Sequence, residues 1–199
     1  MRHTLLLTML IAALPGAAAA LDLTPAQTEG PYYPVTKPAE TDADLTRIGT
    51  GPVAKGRLFV LRGRVVDPDG KAIAGARVEI WQTDDQGIYL HPGDARSSNR
   101  DKAFQFFGAT LSAADGAFAF RTIEPGLYTG RARHIHAKIT PPGSATLTTQ
   151  FYFKSDESLL RDGIARRLGK ALEGVTLEPK QVAGGDGAPE ATVTVVMKR

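Results

Sequence analysis

The 199-residue sequence contains no cysteine. That absence excludes disulfide bridges, zinc sites built from thiolates, iron–sulfur clusters and a cysteine nucleophile. An excess of one charge is also lacking, because 24 Lys and Arg residues oppose 21 Asp and Glu residues, and the net charge of +3 is scattered along the chain. A nucleic-acid partner is therefore not expected. Any chemistry must come from oxygen-bearing side chains and from the four histidines.

Long hydrophobic runs are absent except at the N-terminus, where residues 5–14 are mostly apolar. A basic residue precedes this run, a Pro-Gly pair interrupts it, and small residues follow. This order is typical of a secretory signal peptide, and the run is too short to span a hydrocarbon layer about 30 Å thick. The sequence predicts a signal peptide over residues 1–20 and export to the periplasm or the medium, with no membrane contact after cleavage.

Glycine and proline are abundant, with 21 and 13 residues, which favours many short elements joined by turns. Five of the prolines lie in residues 21–55, which predicts an extended N-terminal arm. Alternation of apolar and polar residues, as in residues 76–81, is typical of half-buried strands. The fold class predicted for residues 56–199 is all-β, a single antiparallel β-sandwich with long loops and one short C-terminal helix. The predicted strands are residues 57–66, 76–81, 104–111, 117–122, 134–139, 148–153 and 191–197, and the predicted helix is 156–172.

A candidate metal site lies where His134 and His136 alternate with Ile135 at the start of a predicted strand. Because side chains alternate across a strand, both imidazoles lie on one face and can bind one metal ion. A carboxylate beside two histidines would suit ferrous iron, whereas phenolates would suit Fe(III), and composition does not choose between these sets. The candidates for further ligands are Asp84, Asp85, Tyr89, His91, Asp94 and Tyr128.

Three segments carry a resemblance to a known family. They are residues 81–89 (WQTDDQGIY), residues 124–136 (EPGLYTGRARHIH) and residues 148–150 (TTQ). In this order they resemble the ligand-bearing and auxiliary segments of the intradiol ring-cleavage dioxygenases. Residues 28–34 (TEGPYYP) are similar to the arm of the protocatechuate-type branch. The spacing between the second tyrosine and the first histidine is short, and in this the chain resembles the secreted, single-domain members.

The resemblance implies a non-haem Fe(III) cofactor held by Tyr89, Tyr128, His134 and His136. It also implies three catalytic residues. Tyr128 is the ligand that the substrate displaces, Arg131 stabilises negative charge on the substrate, and Gln150 orients the substrate or Arg131 by hydrogen bonding. The implied reaction uses O2 to cleave a catechol-type ring between its two hydroxylated carbons, which gives a cis,cis-muconate-type diacid.

Two other functions stay open on the sequence alone. The pattern of residues 65–78 (VVDPDGKAIAGARV) also resembles transthyretin-like sandwiches, so it suits a non-enzymatic binding module as well. His91, His134 and His136 could instead form a zinc or copper site, although His91 could also be a second-sphere group and is more simply interpreted as a solvated loop residue. The particular catechol and the oligomeric state also stay open.

Overall fold

The computed structural model describes residues 19–128, 130–183 and 187–199. The predicted signal peptide lies outside these residues, apart from its last two positions. Within the described parts of the chain, no helix has both the length and the apolar character needed to cross a bilayer.

The described residues form eight strands in two sheets. The order is β4-β1-β8 in the three-stranded sheet and β3-β2-β5-β6-β7 in the five-stranded sheet. The strands are β1 (Leu58–Val66), β2 (Arg77–Trp81), β3 (Phe107–Leu111), β4 (Ala117–Ile123), β5 (His134–Thr140), β6 (Leu147–Phe153), β7 (Thr176–Leu177) and β8 (Glu190–Val196).

The β-rich class is confirmed, and each predicted strand is present with ends shifted by at most three residues. The largest shift is at the start of β3, where Phe106 has a φ of 65°. A non-glycine residue in the left-handed region interrupts a strand, so β3 begins only at Phe107. The two-residue strand β7 was not predicted.

The predicted antiparallel pairing holds for most neighbouring strands but was wrong for two pairs, because both sheets are mixed. Strand β8 runs parallel to β1, and β7 runs parallel to β6. Parallel neighbours need long crossover connections, and both parallel strands follow such connections late in the chain. Pairing between segments so far apart leaves no local signal in the sequence.

Side chains from both sheets share one hydrophobic core. On β1, Phe59, Leu61 and Val65 are fully buried, and the intervening Arg62 and Arg64 are exposed. The ring of Phe59 meets the ring of Phe153 from the other sheet edge to face, with centroids 5.6 Å apart. The period-two alternation of the sequence therefore places its apolar half in this common core.

The predicted helix over residues 156–172 was also wrong. In its place are a 3-10 helix at Leu159–Arg161, a single α-helical turn α1 at Gly163–Arg166, and a 3-10 helix at Gly169–Val175. Asp162 has an extended backbone, and its side chain accepts hydrogen bonds from the N–H groups that begin α1. The helical conformation is therefore interrupted at Asp162, although the spacing of the leucines in this segment suits one continuous helix.

Residues 19–57 are described throughout and contain no regular strand or helix. Backbone hydrogen bonds join this segment to the sheets at four places: Thr24 N–H to Val196, Gln27 N–H to Thr148, Leu45 N–H to Arg121, and Ala109 N–H to Thr41. The segment thus runs across both sheets, and its first half reaches the end of β5 that carries the two histidines.

Two glycines let the loops that follow β2 and β4 cross in direct backbone contact. A Cβ atom added at Gly87 would lie 2.0 Å from the carbonyl oxygen of Leu127, and one added at Gly126 would lie 2.2 Å from the backbone nitrogen of Gly87. The Gly126 N–H also donates to the carbonyl of Asp84 at 2.7 Å. Because the crossing is so close, the residues that follow each glycine are held beside one another.

We expect Gly126→Ala to lower the free energy of unfolding by about 2 kcal/mol or more, since its methyl group would collide with backbone atoms that cannot move independently. Urea denaturation measures the change. Gly174→Ala is the matched control, because an added Cβ there meets nothing within 4 Å, and its effect should stay within about 1 kcal/mol. Equal midpoints for the two variants would contradict the importance of the crossing.

Candidate metal centre

Strand β5 places two buried imidazoles on one face. His134 and His136 are both almost completely buried, and Ile135 between them points into the hydrophobic core. The two Nε2 atoms lie 3.2 Å apart. Alternation along the strand thus brings two ring nitrogens to one point, as predicted from their spacing.

The protonation of these histidines follows from their surroundings. Nδ1 of His134 lies 2.6 Å from the carbonyl oxygen of Ala132. Because a carbonyl only accepts, Nδ1 carries the proton and Nε2 presents a lone pair. Burial lowers the pKa of His134 to about 4, and the positive charge of Arg131 acts in the same direction. Burial, and next the neighbouring His134, lower the pKa of His136 well below its ordinary value. Both rings are therefore neutral near pH 7.

Two tyrosines complete a circuit of four rings. Tyr89 follows β2 and Tyr128 follows β4, so the crossing of the two loops places them side by side. Ring centroids are 5.6 Å apart for Tyr89 and Tyr128, 5.6 Å for Tyr128 and His134, 4.8 Å for His134 and His136, and 6.3 Å for His136 and Tyr89. These are the four side chains that the resemblance assigns to iron, and we call them the Tyr–His quartet.

The quartet has the properties of a site for a hard, highly charged cation. Tyr89 is only 2% exposed, and its hydroxyl has no hydrogen-bond partner among the described residues. Burial raises the pKa of both tyrosines above the usual range, so their protons leave only if a cation replaces them. A buried hydroxyl group without such a partner lowers the stability of the folded chain. Two phenolates and two neutral imidazoles form a donor set that fits Fe(III).

Arg131 and Gln150 lie at the edge of the quartet in one hydrogen-bond chain. The Arg131 guanidinium donates through Nη1 to the Tyr128 hydroxyl at 3.3 Å and through Nη2 to Oε1 of Gln150 at 2.7 Å. Nε2 of Gln150 in turn donates to the carbonyl of Thr28 in the arm at 2.9 Å. The auxiliary pair is therefore tied both to a proposed ligand and to the N-terminal segment.

Two aromatic neighbours of the quartet were not predicted as site residues. Tyr32 of the arm stacks on Tyr89 with centroids 4.5 Å apart. Trp81 lies flat against His136 at 4.8 Å and an interplanar angle of 7°. The motif around Tyr32 signals its importance, and the antiparallel register that pairs Trp81 with His136 explains the second contact. Both rings wall the quartet with apolar surface.

Of the four other candidate ligands, Asp85 has a buried Oδ1 without a hydrogen-bond partner among the described residues, and the remaining three bind backbone N–H groups. One oxygen of Asp94 accepts the N–H of Tyr89, and one oxygen of Asp84 accepts the N–H groups of Gln86 and Ile88. Nδ1 of His91 accepts the N–H of the nearby Gly93, and the His91 ring meets the edge of Tyr32. In the part of the chain that the structure describes, no three His, Asp or Glu side chains lie close enough to hold a metal. This geometry disfavours both a carboxylate site and a site of three histidines.

Known proteins resemble this chain over most of its length. A family model described as "Dioxygenase" matches residues 28–196. Catechol 1,2-dioxygenase 1 of Acinetobacter lwoffii is 31% identical over 70% of this chain and 49% of its own length. Hydroxyquinol 1,2-dioxygenase of Nocardioides simplex is 33% identical over 76% of this chain and 56% of its own length.

This chain belongs to the intradiol ring-cleavage dioxygenase family. Another of its relatives is the protocatechuate 3,4-dioxygenase beta chain of Burkholderia cepacia, 33% identical over 67% of this chain and 61% of that one. The chain spans about half to three fifths of the length of these curated relatives.

Solved structures of similar size share its fold. The dioxygenase domain of a dioxygenase and carbohydrate-binding protein fusion from Streptomyces sp. SirexAA-E is 30% identical, with a TM-score of 0.69, and the match covers 89% of this chain and 99% of that domain. An intradiol ring-cleavage dioxygenase from Tetranychus urticae gives the same TM-score at 21% identity, over 88% and 94% of the two chains. The second likeness speaks for the fold alone.

We expect Tyr89→Phe and Tyr128→Phe each to reduce the ferric iron retained per chain and to remove part of the visible tyrosinate-to-iron absorption, since each deletes one phenolate donor. Metal analysis and absorption spectra measure both effects. Tyr33→Phe is the matched control, because Tyr33 belongs to the same aromatic cluster but its hydroxyl donates to Glu79. Unchanged iron content in the first two variants would refute their assignment as ligands.

Proposed function

We propose that this dioxygenase is a non-haem Fe(III) enzyme that cleaves catechol-type rings between the two hydroxylated carbons with O2, giving cis,cis-muconate-type diacids. The observation that carries the proposal is the Tyr–His quartet, with its orphaned Tyr89 hydroxyl and the Arg131 guanidinium beside Tyr128. Its scaffold is a β-sandwich, which is supported by the hydrophobic core that both sheets share.

The proposed ligands are Tyr89, Tyr128, His134 and His136. Bound ferric iron would supply Lewis acidity, which would stabilise a catecholate and activate its ring toward O2. The chain's own contribution is a dry, aromatic surrounding, since Trp81 and Tyr32 cover two of the four rings. Removing water in this way strengthens electrostatic interactions at the site.

Tyr128 is the ligand that we propose to exchange with substrate. Its side chain is partly exposed, whereas Tyr89 is buried. Tyr128 also lines a cavity of about 410 Å³, together with Leu127, Gly130 and Arg131, and this volume is typical of small-molecule pockets. A catechol in the cavity could pass a hydroxyl proton to the Tyr128 oxygen as the phenol leaves, while Tyr89 stays in place.

Arg131 supplies a fixed positive charge at this point. Nη1 already donates to the Tyr128 oxygen, so the guanidinium lies where the substrate oxygen and the released phenol would share negative charge. A preorganised donor of this kind stabilises developing charge without reorganisation during the reaction. Gln150 holds Nη2 of the same guanidinium and so orients it.

The proposed substrates are small catechols, which the names of the relatives support. The cavity beside Tyr128 gives room for a ring substituent. We also propose that the protein acts outside the cytoplasm after removal of residues 1–20, which rests on the signal-peptide pattern of the sequence.

The decisive experiment is an O2-uptake panel on purified protein loaded with ferric iron. Catechol, protocatechuate, hydroxyquinol and alkyl- and chlorocatechols are tested, and the products are identified by mass spectrometry after reaction under ¹⁸O2. We expect one O2 consumed per ring and both oxygen atoms in a muconate-type diacid. Zinc-loaded protein is the control and should consume none. A colourless protein that holds zinc tightly and takes up no O2 with any catechol would overturn the proposal.

A further inference from the structure

A buried carboxylate lies on the far side of Arg131 from the quartet. The Asp162 side chain is 0% exposed, and its two oxygens accept four hydrogen bonds. Oδ1 accepts hydrogen bonds from the N–H groups of Ile164 and Ala165 and so caps the start of α1. Oδ2 accepts Nε of Arg131 and the backbone N–H of Ala132, each at 2.8 Å.

These contacts keep Asp162 ionised. Burial alone would raise the pKa of its carboxyl group, but the N–H groups of Ala165 and Ala132 and the Arg131 guanidinium outweigh burial and hold the pKa below its usual value. The result is a buried, hydrogen-bonded ion pair, which is costly to break from one side only. The Arg131 side chain itself is 15% exposed.

The guanidinium is held on three sides. Asp162 binds Nε, Gln150 binds Nη2, and Nη1 is left facing the Tyr128 oxygen. Because the guanidinium is planar, fixing Nε and Nη2 also fixes the direction of Nη1. A long arginine side chain held only by Gln150 would keep rotational freedom that this arrangement removes.

We propose that Asp162 is a positioning residue for the reaction, which holds the Arg131 guanidinium against the oxygen of Tyr128 and so links the α1 segment to the Tyr–His quartet. The inference rests on the proposed function, since that function gives Arg131 its catalytic role. Asp162 also lines the proposed substrate cavity, but both of its oxygens are occupied by hydrogen bonds from Arg131, Ala132 and the start of α1, so it acts through Arg131.

The chain contains a matched control in Asp156. This carboxylate is also buried, and its Oδ1 accepts the N–H and hydroxyl of Ser158. Its Oδ2 accepts the backbone N–H of Arg133, one residue after the N–H that Asp162 holds. Asp156 therefore anchors the same stretch of backbone before β5, but its oxygens make no hydrogen bond to the Arg131 guanidinium in the described structure.

Asp162→Asn separates the two functions of the side chain. An amide has one acceptor oxygen, so with that oxygen at the start of α1 its NH2 group would face the donors of Arg131 and Ala132. Asp162→Ser is the second variant, because serine also begins helices well and its hydroxyl replaces only one carboxylate oxygen. Asp156→Asn is made in parallel, as are Arg131→Gln and the double variant Arg131→Gln/Asp162→Asn.

In iron-loaded protein we expect kcat to fall by about 10–100-fold in both Asp162 variants, with iron content and KM little changed. Asp156→Asn should keep the kcat of the unmodified protein. The double variant should be no slower than Arg131→Gln alone, since residues that act as a unit are not additive. The visible absorption band should shift in Asp162→Asn in the same direction as in Arg131→Gln, because Tyr128 loses the same neighbour.

Two results would overturn the inference. In the first, Asp162→Asn lowers kcat by the same factor in the Arg131→Gln background as in the unmodified protein. In the second, Asp156→Asn lowers kcat as much as Asp162→Asn does. Failure of the proposed function is a separate result, in which the unmodified iron-loaded protein turns over no catechol. In that case urea denaturation of the metal-free variants still tests the coupling. If the changes in urea midpoint caused by Arg131→Gln and Asp162→Asn do not add in the double variant, the coupling of the two side chains is supported. Changes that add contradict it.

Discussion

The register of β5 between β2 and β6 is the constraint on which the candidate centre depends. It pairs His136 with Trp81 on one side and with Gln150 on the other. A slip of one residue would turn both imidazoles to the opposite face of the sheet. One set of backbone hydrogen bonds therefore places the nitrogen donors, the aromatic wall and the auxiliary glutamine together.

Loops carry the other half of the centre, and the sheets determine where those loops meet. Tyr89 and Tyr128 leave strands of different sheets, β2 and β4. The backbone contact between Gly87 and Gly126 brings the loops together. The N-terminal arm then closes over them with Tyr32. A rigid scaffold with converging loops is a common basis for catalytic sites.

Charge at the centre is asymmetric. The four proposed donors are neutral in the metal-free chain, because burial disfavours the charged forms of both histidines and both tyrosines. Arg131, a cation at the edge of the quartet, has its own counter-ion in Asp162. A cation that binds the quartet would thus displace protons from its ligands. The negative charge of a bound substrate would lie near the Arg131 guanidinium, which is already in place.

Local patterns of the sequence determined the strands and the histidine pair. Alternation alone placed β1, β2 and β4 within a few residues and put His134 and His136 on one face, because strand periodicity is a property of neighbouring residues. The assignment of the two tyrosines as proposed ligands depended on the family resemblance, because no local sequence pattern distinguishes a tyrosine that binds a metal from one that packs against its neighbours.

Tertiary structure decided the rest. The leucine spacing of residues 156–172 suits a helix, yet the carboxylate of Asp162 instead bonds Ala132 and Arg131 from a distant segment. The parallel strands β7 and β8 and the contacts of Tyr32 and Trp81 likewise join parts of the chain far apart in sequence. Such contacts form through space, so their energy depends on the folded arrangement of the chain and leaves no periodic trace in the order of residues.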